Sequence, residues 1–279
     1  MSQKTNIKSA AEIKKQWDIC SDSDNFEKNF SILQKHMCNL DGLSLESNLW
    51  IFSHIPKTAG TSLENYLAQL FLIQEILHIN APDLNNFPEL LSVKQQFPNY
   101  IAGHHPMHGL LYQLLPRKSI VHITMLREPV SRILSYFNYI KSRPTHSLHH
   151  TVKDITFDAF LEQPMPEINN GQSRRLAGIL HSGTELSDLE LYEKAKLVID
   201  KCFTFVGVTE KFEDFLLFVE SKTGLSIHRT PRKNQSKIIL HKNELSHEHL
   251  IQLKSNNAAD ILLYDYVLNK FMQMIEPSI

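Results

Sequence analysis

Leu49-Trp50-Ile51-Phe52-Ser53-His54-Ile55-Pro56-Lys57-Thr58-Ala59-Gly60-Thr61-Ser62 is the stretch from which the fold can be read. Its first four residues are an uninterrupted apolar run, which reads as a buried strand. The next ten hold a proline, a glycine and several hydroxyl residues, the composition of a loop. Leu63, Tyr66, Leu67 and Leu70 then mark one face of a helix. The order is strand, tight loop, helix.

The pattern repeats along the chain. Tyr100 to Gly103 reads as a second strand and runs into a histidine cluster. Ile120 to Leu126 is a third, ending at Arg127-Glu128-Pro129. The proline suits the first turn of a following helix with Ile133, Leu134 and Phe137 inward. Phe203 to Val208 is a fourth, leading into a helix from about Glu210 to Lys222 that stops at Gly224. Leu240 to Phe271 has helical apolar spacing and reads as scaffold. Strands alternating with helices predict an α/β fold with a central, mainly parallel sheet flanked by helices. Ligands in such folds sit beyond the carboxyl ends of the strands. Lys57, His104, Arg127 and Thr209 all follow predicted strands, so the candidate chemistry gathers on one edge. The main domain is expected over 49–279. Residues 1–48 read as a helical extension, with Phe26, Phe30 and Leu33 at helical spacing.

Composition narrows the function classes. The chain has 279 residues, 42% hydrophobic and 21% charged, which fits a folded globular protein and excludes disorder as the main state. Its 29 basic and 30 acidic residues leave a net charge of -1, which disfavours a non-specific nucleic-acid binder. Cys20, Cys38 and Cys202 are too scattered for a disulfide framework or a cysteine zinc site. The first twenty residues carry no apolar core of a signal peptide, and no apolar run reaches the ~20 residues of a membrane span. The expectation is a cytoplasmic protein with no transmembrane segment.

Two constellations carry the chemistry. In the first, Gly60 is expected to let the loop turn tightly, so that successive N–H groups face one concavity. The helix N-terminus adds partial positive charge. Lys57 adds a full charge, and Thr58, Thr61 and Ser62 add hydroxyls. Together they make a phosphate cradle. It is not the Walker pattern, because Lys57 precedes the glycine. An ordinary strand-to-helix turn capped by Thr61 or Ser62 has the same composition. In the second, Arg127 stands at a strand end, where a guanidinium can fork onto a phosphate, and Ser135 lies two helical turns on. Arg132 either joins them or pairs with Glu128 on the surface. Between 101 and 150 six Lys or Arg face one acid, and Arg229, Arg232, Lys233, Lys237 and Lys242 form a second basic stretch; both read as anion-focusing or as solvated faces.

In order and spacing these segments resemble the Golgi carbohydrate sulfotransferases, the group that contains heparan sulfate 2-O-sulfotransferase. Ile55 to Ser62 is similar to the family's phosphosulfate loop, and Arg127-Glu128-Pro129 with Arg132 and Ser135 to its second motif, R-[DE]-P-x-x-R-x-x-S. Gly103-His104 is similar to its G-H after the central strand. Phe205 to Glu210 resembles a further segment, and Gln172 to Gly178 a Q-[ST]-R-x-L-A-G element. The Golgi enzymes carry a membrane anchor, which this chain does not display. The resemblance covers about residues 49–240 and implies a P-loop-like three-layer sandwich. The implied activity is in-line transfer of a sulfuryl group from 3′-phosphoadenosine 5′-phosphosulfate (PAPS) to a hydroxyl, with a carbohydrate as the expected acceptor.

In that reading Lys57 stabilises the leaving phosphate. Lys57, Thr58, Ala59, Gly60, Thr61 and Ser62 hold the 5′-phosphate, and Arg127 and Ser135 the 3′-phosphate. An alcohol needs a base, and an imidazole with an ordinary pKa of ~6.5 would lose that capacity below this pH. His104, His105 and His108 compete for the role; the family match selects His104. His104 and His108 at i,i+4 would suit zinc on a helix, but Gly103 and Pro106 oppose a helix there, so no metal is expected. His146, His149 and His150 read as a solvated or acceptor-lining loop. Arg174 and Arg175 read equally as acceptor contacts or surface ion pairs. A P-loop nucleotide kinase and a non-catalytic nucleotide-binding module are the alternatives.

Overall fold

The computed structural model describes residues 37, 40, 43–79, 98–104, 119–180, 184–226 and 239–275. Its elements run β1 (Asn48–Ser53), α1 (Gly60–Ala68), β2 (Ile76–Ile79), β3 (Tyr100–Gly103), β4 (Ser119–Leu126), α2 (Pro129–Ser142), α3 (His149–Val152), α4 (Phe157–Leu161), α5 (Gly171–Ala177), α6 (Asp188–Cys202), β5 (Phe205–Val208), α7 (Phe212–Thr223), α8 (His247–Ser255) and α9 (Ala258–Ile275). The sheet order is β2-β3-β1-β4-β5, and every pairing is parallel. After β3 the chain crosses β1 to reach β4, so the strand order reverses beside the carboxyl end of β1. That is where open parallel sheets bind ligands.

Alternation along β1 builds both layers. Leu49 and Ile51 join Ile101, Val198, Ile199, Leu263 and Val267 under α6 and α9. Trp50 and Phe52 join Leu63, Leu67, Phe212 and Phe215 under α1 and α7. A third apolar cluster packs α2 against α3, α4 and α8. The expected three-layer α/β architecture is present.

The elements differ from the sequence reading in detail. β2 was not expected: its run Ile76-Leu77-His78-Ile79 is short, and His78 interrupts the apolar signal. α6 was also unassigned, although Ser187 and Glu190 form a reciprocal capping box at its start, a sequence-visible signal. Because α6 runs to Cys202, β5 begins at Phe205 rather than Phe203. The helix after β5 begins at Phe212, since Thr209–Lys211 forms a 3-10 turn. His149 and His150 lie in α3 rather than in a loop. Of the extension expected over 1–48, residues before 37 lie outside the described residues. Met37 forms a parallel bridge with Ile120, and Leu40, Leu43 and Leu45 pack on the α1–α7 layer.

Candidate active site

The β1 loop leaves the sheet through two left-handed residues, Lys57 (φ 69) and Ala59 (φ 61). Neither is glycine, so each carries a backbone cost of order 1–3 kcal/mol of the kind found at functional sites. Ala59 is the N-cap of α1 and makes no side-chain cap bond. Neither Thr61 nor Ser62 is that cap. The expectation for Gly60 is corrected here: Lys57 and Ala59 supply the left-handed turns. Gly60 is needed because a Cβ there would lie 2.0 Å from Cδ2 of His54. Thr58 is buried, and its hydroxyl donates to the Ile55 carbonyl at 2.8 Å, bracing the loop from within.

Two arginines hold the loop by its carbonyls. Arg127 Nη1 donates to Lys57 O at 3.1 Å, and Arg132 Nη1 reaches Pro56 O at 3.4 Å. Arg132 is fully buried, not on the surface beside Glu128. Its guanidinium bonds the Glu167 carbonyl and pairs with the Glu167 carboxylate, which also bonds Arg175. Burial pushes Glu167 up, but Arg175 and Arg132 outweigh it and hold the carboxyl below its ordinary range. Glu128 instead caps α2, accepting from the Val130 and Ser131 amides, and pairs with Lys242. Removal of one partner from a buried pair leaves an uncompensated charge. Glu167→Ala is therefore expected to cost about 3–5 kcal/mol of stability in a urea titration. A change under about 0.5 kcal/mol would mean the pair contributes nothing net.

Arg127 is itself set by α5. Its N–H donates to Gln172 Oε1 and its carbonyl accepts from Gln172 Nε2, both at 2.9 Å. α5 is latched to the C-terminal helix: the Asp260 carboxylate accepts from the Gln172 and Ser173 amides at 3.1 and 2.7 Å. Asn170 and Asn257 complete this buried join, the Asn170 N–H donating to Asn257 Oδ1 at 2.9 Å. Gln172 was visible in the sequence as part of a family element, but its role needed the fold.

The Lys57 ammonium lies 3.9 Å above the Tyr139 ring, with the Arg143 guanidinium 5.4 Å from the same ring. Burial, then the charges of Arg127 and Arg143, bring Lys57 down to about 8. Ser131, Ser135 and Tyr139 are half-buried at four-residue spacing, one stripe of α2. Since Tyr139 carries Lys57, this stripe brings Ser135 to the loop side. His146 meets Tyr139 edge-on at 5.4 Å, and burial, Arg143 and Lys57 hold it below its ordinary range. Thr209 donates its hydroxyl to Leu126 O at 3.0 Å, joining the ends of β4 and β5.

His104 reaches the same edge from β3. The β1–β3 ladder runs one bond past the strands, His54 N–H donating to Gly103 O at 3.0 Å. Gly103 has φ 135, and a Cβ there would lie 1.8 Å from Ile79 O, so only glycine lets β3 turn beside β2. His54 and His104 are thereby brought ring to ring, with centroids 4.2 Å apart and planes tilted by 30°. His104 Nδ1 lies 2.8 Å from His54 O. A carbonyl only accepts, so Nδ1 carries the proton and Nε2 keeps its lone pair. Burial first, then His54, push His104 down to about 4, with Arg175 adding to them; the His54 carbonyl and Glu64 pull the other way. His105, His108 and the 229–237 basic segment lie outside the described residues.

Comparison with known proteins follows the same lines. The sulfotransferase family model matches residues 46–267. Heparan sulfate 2-O-sulfotransferase 1 of Gallus gallus is 23% identical over 249 residues, 79% of this chain and 70% of that one. Its Homo sapiens counterpart is 22% identical over 254 residues, 81% and 71% of the two chains. Among solved structures, mouse sulfotransferase SULT7A1 complexed with PAP aligns with a TM-score of 0.39 and 17% identity, over 88% of this chain and 86% of that one.

Proposed function

The chain belongs to the sulfotransferase family, and on that premise we propose that it moves a sulfuryl group from PAPS to a carbohydrate hydroxyl with His104 as the base. The observation that carries this reading is the bond from Arg127 to the Lys57 carbonyl. It ties the phosphate loop to the second motif, on the sheet edge that also bears His104. The 5′-phosphate takes the loop, where the main-chain amides from Thr58 to Thr61 and the start of α1, which has no side-chain cap, favour an anion. The 3′-phosphate takes Arg127 and Ser135.

The acceptor oxygen attacks sulfur while the bond from sulfur to the bridging phosphate oxygen breaks. The acceptor proton passes to Nε2 of His104, whose Nδ1–H is committed to the His54 carbonyl. Charge grows on the leaving oxygen, where the Lys57 ammonium stabilises it. A carbohydrate acceptor is supported by the two heparan sulfate 2-O-sulfotransferases. Residues 49–279 form the catalytic domain in this proposal, with the segment before it an extension. Among the described residues no helix is long and apolar enough to cross a membrane. A cytoplasmic location belongs to the same proposal; the scattered cysteines support it, with Cys202 a buried free thiol.

Titration calorimetry with 3′-phosphoadenosine 5′-phosphate (PAP) and with ATP plus magnesium tests the donor. Micromolar binding of ATP with none of PAP would replace this reading by the kinase one. Arg127→Ala is expected to weaken PAP by about 1.5–3 kcal/mol, the range of a charge-assisted hydrogen bond. ADP, which lacks the 3′-phosphate, is expected to lose far less. Equal losses would make Arg127 a brace for the loop alone. A sulfate-transfer screen over sugar, lipid, peptide and small-metabolite alcohols identifies the acceptor.

A further inference from the structure

One side chain touches both halves of the proposed site and has no role in the mechanism so far. His54 is buried, with 9% of its surface exposed, and sits where β1 ends and the phosphate loop begins. One edge of its ring lies against Gly60, so closely that a Cβ at that position would overlap it. The His104 ring lies against it, tilted by 30° at 4.2 Å between centroids, and Phe52 stacks on it at 5.6 Å. Its Nδ1 lies 3.2 Å from Glu64 Oε2. A carboxylate accepts, so the His54 proton on Nδ1 points to Glu64 and the ring's rotation is set. The other carboxylate oxygen, Oε1, lies 2.6 Å from Nδ1 of His78. Burial pushes Glu64 up, but the bonds to His54 and His78 prevail and bring it down to about 2, so it is ionised throughout the working range.

From this arrangement we infer that His54 is a positioning residue for both ends of the transfer, supporting the donor loop at Gly60 and backing the base His104, with Glu64 fixing its ring. The inference rests on the sulfotransferase reading and adds a residue to it. A flat ring fits between Gly60 and His104. The hydrogen bond to Glu64 keeps that ring from turning when nucleotide enters or leaves. The same segment presents the carbonyl that selects the Nδ1–H tautomer of His104. Loop position and tautomer therefore share one support. The groups that face His104 electrostatically are His54, Arg175 and Glu64.

The test needs no acceptor. PAP affinity is measured by calorimetry, and the tautomer and titration midpoint of His104 by long-range proton–nitrogen NMR, in the wild type, His54→Ala and His54→Phe. In His54→Ala we expect PAP to bind about tenfold more weakly. The His104 midpoint is expected to rise by about one unit, with the Nδ1–H tautomer kept because the residue-54 carbonyl remains. His54→Phe keeps a ring against Gly60 but cannot bond Glu64. It is expected to hold PAP affinity within about twofold while the His104 midpoint still rises. Unchanged PAP affinity and an unchanged His104 midpoint in folded His54→Ala would overturn the inference. If that variant does not fold, an unchanged His104 midpoint in His54→Phe overturns it alone. Failure of the wild type to bind PAP would remove the sulfotransferase reading, and this inference with it.

Discussion

Lys57→Ala is expected to lower kcat by about 10²–10³-fold while the protein stays folded, the effect of losing one electrostatic donor at a developing oxyanion. Lys57 is not an ordinary surface lysine. It is brought down to about 8 by burial and by the charges of Arg127 and Arg143, and its ammonium shares the Tyr139 ring with the Arg143 guanidinium. Bringing like charges together is unfavourable until an anion enters, so the site is poised for phosphate. Alanine leaves the two features that would otherwise confuse the result. The residue-57 carbonyl still accepts from Arg127. The left-handed backbone remains about as costly, since alanine is no better suited to φ 69 than lysine. The wild-type kcat/KM for PAPS should fall above pH about 8, as the free enzyme loses the Lys57 proton. That limb should vanish in the variant. Single-turnover PAPS consumption and a thermal melt check both statements, and a near wild-type kcat would remove Lys57 from the mechanism.

His104→Ala is expected to lower kcat by about 10²–10⁴-fold with PAP affinity changed less than about twofold, because the base acts on the acceptor and not on the donor. The acid limb provides the second check. An ordinary imidazole would protonate near 6.5 and switch the enzyme off there. In the fold His104 is held down to about 4 by burial and His54. Its neutral form, with Nε2 free to accept, thus persists well below 6.5, and the rate should hold until pH approaches 4. With Lys57, this gives a plateau between about 4 and about 8. A rate that halves near 6.5 would show that another group carries the proton. An active His104→Ala beside an inactive His105→Ala would move the base by one residue.

The parallel core was legible because β1 and β3 carry continuous apolar runs, β4 is long enough to read as apolar around His122 and Thr124, and each leads into a residue of distinct chemistry. β2 escaped because a four-residue edge strand with a polar residue inside it gives no such run. Lys57 and Arg127 stood out in advance because strand ends in a parallel sheet share one edge, whereas His104 was selected among neighbouring histidines by the family resemblance. Arg132 could not be placed. Its i,i+4 spacing to Glu128 suggested a surface pair, but its true partner, Glu167, lies 35 positions away and is brought in by tertiary packing. Gly60 was the right residue with an incomplete reason: its need is set by the His54 ring across the loop, which no local rule of turn chemistry reports. Tyr139 was within reach, one helical turn beyond Ser135, had the four-residue spacing been followed further along α2.

The latch from Asp260 to the start of α5 has a consequence for the order of events on the ribosome. The Asp260 carboxylate meets amides 88 and 87 positions earlier in the chain, and through Gln172 it steadies the main chain of Arg127. The five described strands end by Val208 and so are synthesised before α9. The emerging polypeptide therefore passes through an interval in which its central strands are available but the Arg127 main chain lacks this support. Support of the Arg127 main chain through Gln172 is complete only when α9 docks against α5, so one bond network depends on segments far apart in the chain.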